Sequence, residues 1–203
     1  FSVKSFAMPS HTKSFYVNDF ANVLDDTTKS YILSNSKALD ESTTAQVVVA
    51  TVESLEGKDI DSYALNLARD WEIGNKEKNN GVLILLSIGD RKVKIEVGYG
   101  LEGALNDGKV GRILDYYAVS YFKNNDWNSG IKGAYEAVVA EVYKEYGKEV
   151  PEDISKAVVS SESGGNVGLV MAAIVAIIII ISFYVIRRKN KGIDDRDNWN
   201  GPG

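Results

Sequence analysis

The chain has 203 residues, with 23 Lys or Arg against 28 Asp or Glu, a net charge of −5, no cysteine and one histidine, His11. Without cysteine there is no disulfide, thiolate nucleophile or zinc-thiolate site, and a lone histidine in a polar stretch removes Ser-His-Asp chemistry and histidine-rich metal centres. The acidic balance argues against a nucleic-acid partner, which requires a basic face.

Residues 1–14 read as a polar arm containing Pro9. Asp25 and Asp26 can cap a first helix running to about Leu39, with Tyr31, Ile32, Leu33, Ala38 and Leu39 apolar. Residues 45–52, AQVVVATV, are β-branched and nearly uncharged and predict a central strand. Residues 59–71 predict a second helix: Ile60, Tyr63, Ala64, Leu67, Ala68 and Trp71 share one face, and Gly74 closes it. An exposed loop over 75–80 leads to the continuous apolar run from Val82 to Leu86, a strand buried on both faces. Gly89 and Asp90 supply a turn, after which Val93, Ile95 and Val97 alternate with Lys92, Lys94 and Glu96, the period of a half-buried strand. A third helix follows over 108–121, then a polar turn around Trp127 and a fourth helix over 131–146. Pro151 is expected to end a domain of residues 15–150, with 151–166 a linker of mixed charge, serine and glycine.

Residues 167–186, VGLVMAAIVAIIIIISFYVI, carry no charge. As a helix, roughly 20 such residues span about 30 Å, the thickness of a bilayer's hydrocarbon core. Arg187, Arg188, Lys189 and Lys191 follow at once, and no positive charge lies between Lys156 and the apolar run. The positive-inside rule therefore predicts a single-pass anchor in the cell membrane, with the lipid bilayer as partner, residues 187–203 as a cytoplasmic tail and the large domain outside. An outside domain must be translocated; since the sequence opens on Phe1, a signal peptide removed or omitted ahead of it is expected.

Between the hairpin and the third helix, Gly98, Gly100 and Gly103 match G-x-G-x-x-G. That fingerprint binds a pyrophosphate on helix amides, and Glu102 inside the loop and Asp107 just after it would repel one, so no nucleotide is expected. The glycines read instead as a tight loop of positive φ, or as a loop presenting carboxylates to a cation. Tyr99 is expected to pack on Trp71. The pairs Asp25-Asp26 and Asp59-x-Asp61 read as helix starts, since an aspartyl nucleophile sits at the end of a buried strand and neither pair follows one.

Four separated segments stand in order along the chain: Val17-x-Asp19-x-Ala21-x-x-Leu24, Trp71-x-Ile73-Gly74, Asn79-Asn80-Gly81-Val82-Leu83, and Val97-Gly-Tyr-Gly-Leu-Glu-Gly-x-Leu-x-Asp107. In this order they resemble the TPM-domain family over residues 14–147. The resemblance implies a compact α/β/α sandwich, exported or membrane-tethered, with calcium binding among several members and a phosphatase activity attached to the family name.

The predicted fold is thus an α/β, three-layer α/β/α sandwich with a mixed, mostly parallel sheet, followed by one transmembrane helix. Parallel strands 45–52 and 82–87, with 92–97 running back, put Asn80 and the glycine loop at one end of the sheet. If the segment before the first helix reaches that end, Asp19 joins Glu102 and Asp107, and with Asn80 they make an oxygen set suited to calcium. The competing reading makes Asp107 the N-cap of the third helix. Three functions follow from these residues: a non-catalytic, cation-binding interaction or assembly module, which leads; a metal-assisted phosphatase-like hydrolase; and a ligand-free structural domain.

Overall fold

The computed structural model describes residues 8–164. Four strands form one sheet in the order β1 (Val17–Asp19), β2 (Gln46–Val52), β3 (Gly81–Ser87) and β4 (Lys92–Val97). β1 and β3 pair in parallel with β2, and β4 returns antiparallel to β3. The fold is α/β with a mixed sheet, as the apolar runs and the hairpin predict. β1 is the strand that the sequence pattern does not announce.

Alternation along the two central strands builds a core on each face. Val47, Val49, Val82, Ile84 and Leu86 face one side, where they meet Ile32, Leu39, Ile131, Tyr135 and Val138. Val48, Ala50, Val52, Leu83 and Leu85 face the other, against Leu55, Tyr63, Ala64, Leu67 and Trp71. Each such aliphatic side chain contributes about 1.5–3 kcal/mol on burial, which is why β2 and β3 carry almost no polar residue.

Among the described residues there are six α-helices, with a 3-10 turn and a π turn beside them. α1 (Asp26–Thr43) begins where the Asp25 carboxylate accepts from Thr28 N at 2.6 Å and runs four residues beyond Leu39, to Thr43, with Thr44 as its C-cap at φ 64°. α2 (Ile60–Asp70) is capped by Asp59, which accepts from Ser62 N at 3.0 Å. α3 (Asp107–Leu114) starts one residue earlier than expected, because Asn106 is its cap and accepts from Lys109 N at 3.0 Å. A π turn, Asp115–Val119, and the short α4 (Ser120–Phe122) replace the rest of the expected third helix. α5 (Trp127–Glu145) takes in residues read as a turn, since Asp126 caps it through Ser129 N at 3.1 Å.

The span read as a linker holds α6 (Glu152–Gly164). Pro151 suits the residue ahead of a helix, and Glu152 and Asp153 favour its positive first turn. Ile154 is fully buried in the larger core, and the compact unit extends to Val159 rather than 150. Part of the arm is also tied down: the Trp71 indole donates to the Pro9 carbonyl at 2.8 Å. Among the described residues no helix is long and apolar enough to cross a membrane. The apolar segment 167–186 and its basic flank lie outside the described residues.

Candidate functional site

The predicted ligands do not gather at one point. Asp19 ends β1 beside Thr51, and β2 runs from Gln46, opposite Gly81, to Val52. Asp19 therefore lies at the far end of β2 from the glycine loop, five residues or about 16 Å along the strand. Parallel pairing of β1 causes this, since it carries the chain before α1 toward the C-terminal ends of β2 and β3. The Asp19 carboxylate is 5 % exposed and fully engaged. It accepts from Val23 N and Leu24 N, both at 3.0 Å, and from the Thr51 hydroxyl at 2.6 Å. It ties the turn into α1 to the end of β2.

Asn80 does stand at the glycine-loop end, but it is fully buried, where the sequence suggests an exposed loop. Its Oδ1 accepts from Asn75 N at 2.9 Å, and its Nδ2 donates to the Tyr146 hydroxyl at 2.6 Å. With both ends of the amide taken, Asn80 closes the 75–80 loop on itself and on the end of α5.

Glu102 and Asp107 line one groove. Both are exposed, and the groove, of about 670 Å³, lies between β4 and α3, walled by Ile95, Val97, Leu105, Val110 and Leu114. Glu96 lines it too, and with Glu102 it also borders a second depression of about 500 Å³ over the C-terminal end of α2. Burial pushes the Glu96 carboxyl above the usual glutamate range, while the nearby Lys94 and Arg69 pull the other way. Lys94 donates to Asp61 at 2.6 Å; that bond holds its ammonium above the usual lysine value, with Glu96 and Asp107 adding to it. Lys94 and Arg69 thus stand among Asp61, Glu96, Glu102 and Asp107, and carboxylates outnumber cations in the region. Among the described residues no three Asp, Glu or His side chains converge closely enough to hold a metal ion between them.

The glycine loop owes its composition to crowding. None of Gly98, Gly100 and Gly103 adopts positive φ. A Cβ on Gly98 would collide with the Asn79 carbonyl oxygen and one on Gly100 with that of Lys78, whereas at Gly103 it would meet nothing. Gly98 N donates to Gly81 O at 2.8 Å and Gly100 N to Asn79 O at 2.9 Å, so the loop lies against the start of β3. It then makes a 3-10 turn, Tyr99–Leu101, before α3 opens at Asn106. Tyr99 is 80 % exposed on the rim and does not pack on Trp71, whose ring instead meets His11 and Phe20.

Sequence reasoning missed Glu96, Lys94 and Asp61. Lys94 and Glu96 read only as the polar face of a strand; the signal available was their nearness in the chain to Gly98 and Glu102. Asp61 reaches Lys94 only through the packing of α2 over the sheet.

A model of the TPM domain matches residues 17–141. Among solved structures, the chain is similar to the N-terminal domain of a protein from P. gingivalis, at 29 % identity and a TM-score of 0.62, covering 66 % of this chain and 86 % of that one. It is also similar to the BA42 protein of the psychrophilic bacterium Bizionia argentinensis, at 18 % identity and a TM-score of 0.52, with 64 % and 87 % covered. The N-terminal domain of the cg2496 protein from Corynebacterium glutamicum shares the fold at 14 % identity and a TM-score of 0.50, with 68 % and 86 % covered. Among curated proteins, none matches.

Proposed function

Because the chain belongs to the TPM-domain family, we propose that it is a membrane-anchored, extracytoplasmic interaction or assembly module that performs no catalysis and holds a divalent cation, calcium, at the groove beside β4. The observation that carries this reading is the acidic groove: Glu102 from the glycine loop and Asp107 from the first turn of α3 both open onto it. Calcium takes six to eight oxygens in flexible geometry, so two carboxylates completed by carbonyls and water suit it. So few charged ligands place the affinity in the weak range of extracellular modules, on the order of 10⁻⁴ to 10⁻³ M. Asp19 and Asn80 have no part in the site, since their polar atoms already serve the fold.

The non-catalytic reading is supported by where the nucleophile-like residues sit. Asp25 and Asp59 cap helices, Asp90 accepts from Leu55 N and the Ser87 hydroxyl, and His11 meets Phe15 and Trp71 edge to face. Anchoring rests on the uncharged run 167–186 and the basic residues after it.

Thermal melting of the full chain in detergent micelles, with chelator, calcium or magnesium, tests the proposal. Calcium at ten times its Kd stabilises the native state by about 1.4 kcal/mol, and Glu102→Gln with Asp107→Asn abolishes that gain. Melting that ignores every divalent ion would remove the cation. Phosphomonoester turnover that survives purification and vanishes in the double variant would make the protein a metal-assisted hydrolase instead.

A further inference from the structure

We propose that the open edge of β4 receives an extended, lysine- or arginine-bearing segment of another protein as a fifth strand, seated in the groove against α3. The proposal rests on the interaction-module reading and names how the partner is held.

β4 ends the sheet. Its register with β3 pairs Val82 with Val97 and Ser87 with Lys92, and Gly98 N donates to Gly81 O. In an antiparallel ladder alternate residues exchange bonds with the same neighbour, so Lys92, Lys94 and Glu96 face β3. Val93, Ile95 and Val97 therefore turn their N–H and C=O groups to the open side. Among the described residues none bonds to those three on that side. They present three donors and three acceptors, the template on which an added strand is built.

Alongside this edge runs α3, whose Val110, Gly111 and Leu114 form the opposite wall. Gly111 sits within the helix, where glycine is disfavoured, and a Cβ there would meet nothing within 4 Å. No packing inside the domain explains it, while close approach of a second backbone along the groove does. The groove's acids specify the charge of the occupant. Lys94 is bound to Asp61, which leaves Glu102 and Asp107, when no calcium holds them, to face a cationic side chain at the Val97 end. A second copy of this domain fits poorly, because it would bring its own α3 to the same edge; a bare strand does not.

The test is selection of a random octapeptide library on the full chain in detergent micelles, with binding of the selected peptides measured afterwards. Selected peptides are expected to alternate apolar residues and to carry Lys or Arg near one end. Their binding is expected to slow amide exchange of Val93, Ile95 and Val97 at least tenfold, while Lys94 and Glu96, already bonded to β3, change little. Gly111→Leu, which adds bulk to the groove from a Cβ position that meets nothing within 4 Å, should weaken binding at least tenfold and leave the melting temperature equal or higher. Glu102→Lys with Asp107→Lys should weaken basic peptides alone. The proposal is overturned if the library yields no basic, alternating sequence, or if selected peptides leave those three amides unprotected. Insensitivity to Gly111→Leu overturns it as well, and a concentration-dependent dimer that protects the same amides would assign the edge to self-pairing. Calcium stabilisation without peptide binding would sink this proposal and spare the module reading. Peptide binding without any calcium effect would spare this proposal and remove only the cation from the module reading.

Discussion

Replacing Asp19 separates a structural carboxylate from a metal ligand. In the native state its two oxygens receive the Val23 and Leu24 amides and the Thr51 hydroxyl, with Lys29 Nζ 3.9 Å away. Leu24 and Thr51 are 4 % and 0 % exposed, so water cannot replace the lost acceptor for them. Each buried donor left without a partner costs about 1–3 kcal/mol, which puts Asp19→Ala on the order of 3–5 kcal/mol. For a domain near 150 residues, 1 kcal/mol corresponds to about 3 °C, so the midpoint should fall by roughly 10–15 °C. Asp19→Asn retains one acceptor oxygen and the side-chain volume, and its loss should be about half as large. Calorimetry of both variants in chelator, and again with excess calcium, is the assay. A structural carboxylate gives the full loss in chelator and the same calcium increment as the wild type. A variant melting within about 3 °C of the wild type in chelator, or destabilised only when calcium is present, would refute that role and return Asp19 to the cation.

Gly100→Ala drives a methyl into the Lys78 carbonyl and should cost about 1–3 kcal/mol, whereas Gly103→Ala, which meets nothing, should be neutral; urea midpoints compare the two. Ile154→Ala empties a fully buried site and should cost about 2–5 kcal/mol by the same measurement, a loss a linker residue would not show. Burial pushes the Glu136 carboxyl above its ordinary value, against the opposing pull of Lys132 and Tyr31. A raised carboxyl favours the neutral form in the fold, so its contribution is full below the unfolded glutamate value and is lost as pH rises through the folded one. Glu136→Gln should therefore raise the melting temperature at pH 7 and have little effect near pH 4; equal shifts at both would exclude titration as the cause.

Much of the framework was legible in the chain because its causes are local. The apolar runs of β2 and β3, the alternation of β4 and the aspartates ahead of α1 and α2 act over a few residues, and the structure places each element there. That Glu102 and Asp107 line one groove follows from the same local order: strand, crowded glycine loop, helix. Tertiary structure decided the rest. β1 is three residues long, too short for any period, yet its parallel pairing sends Asp19 to the far end of the sheet. Asn80 looks like a loop residue until Tyr146, sixty-six positions away, supplies the acceptor that lets it be buried. Crowding against Lys78 and Asn79, rather than positive φ, accounts for Gly98 and Gly100, and a close approach of two backbones leaves no periodic mark in the residues themselves. Lys94 meets Asp61 only because α2 lies over the sheet, so the balance of charge beside the groove exists in the folded chain alone.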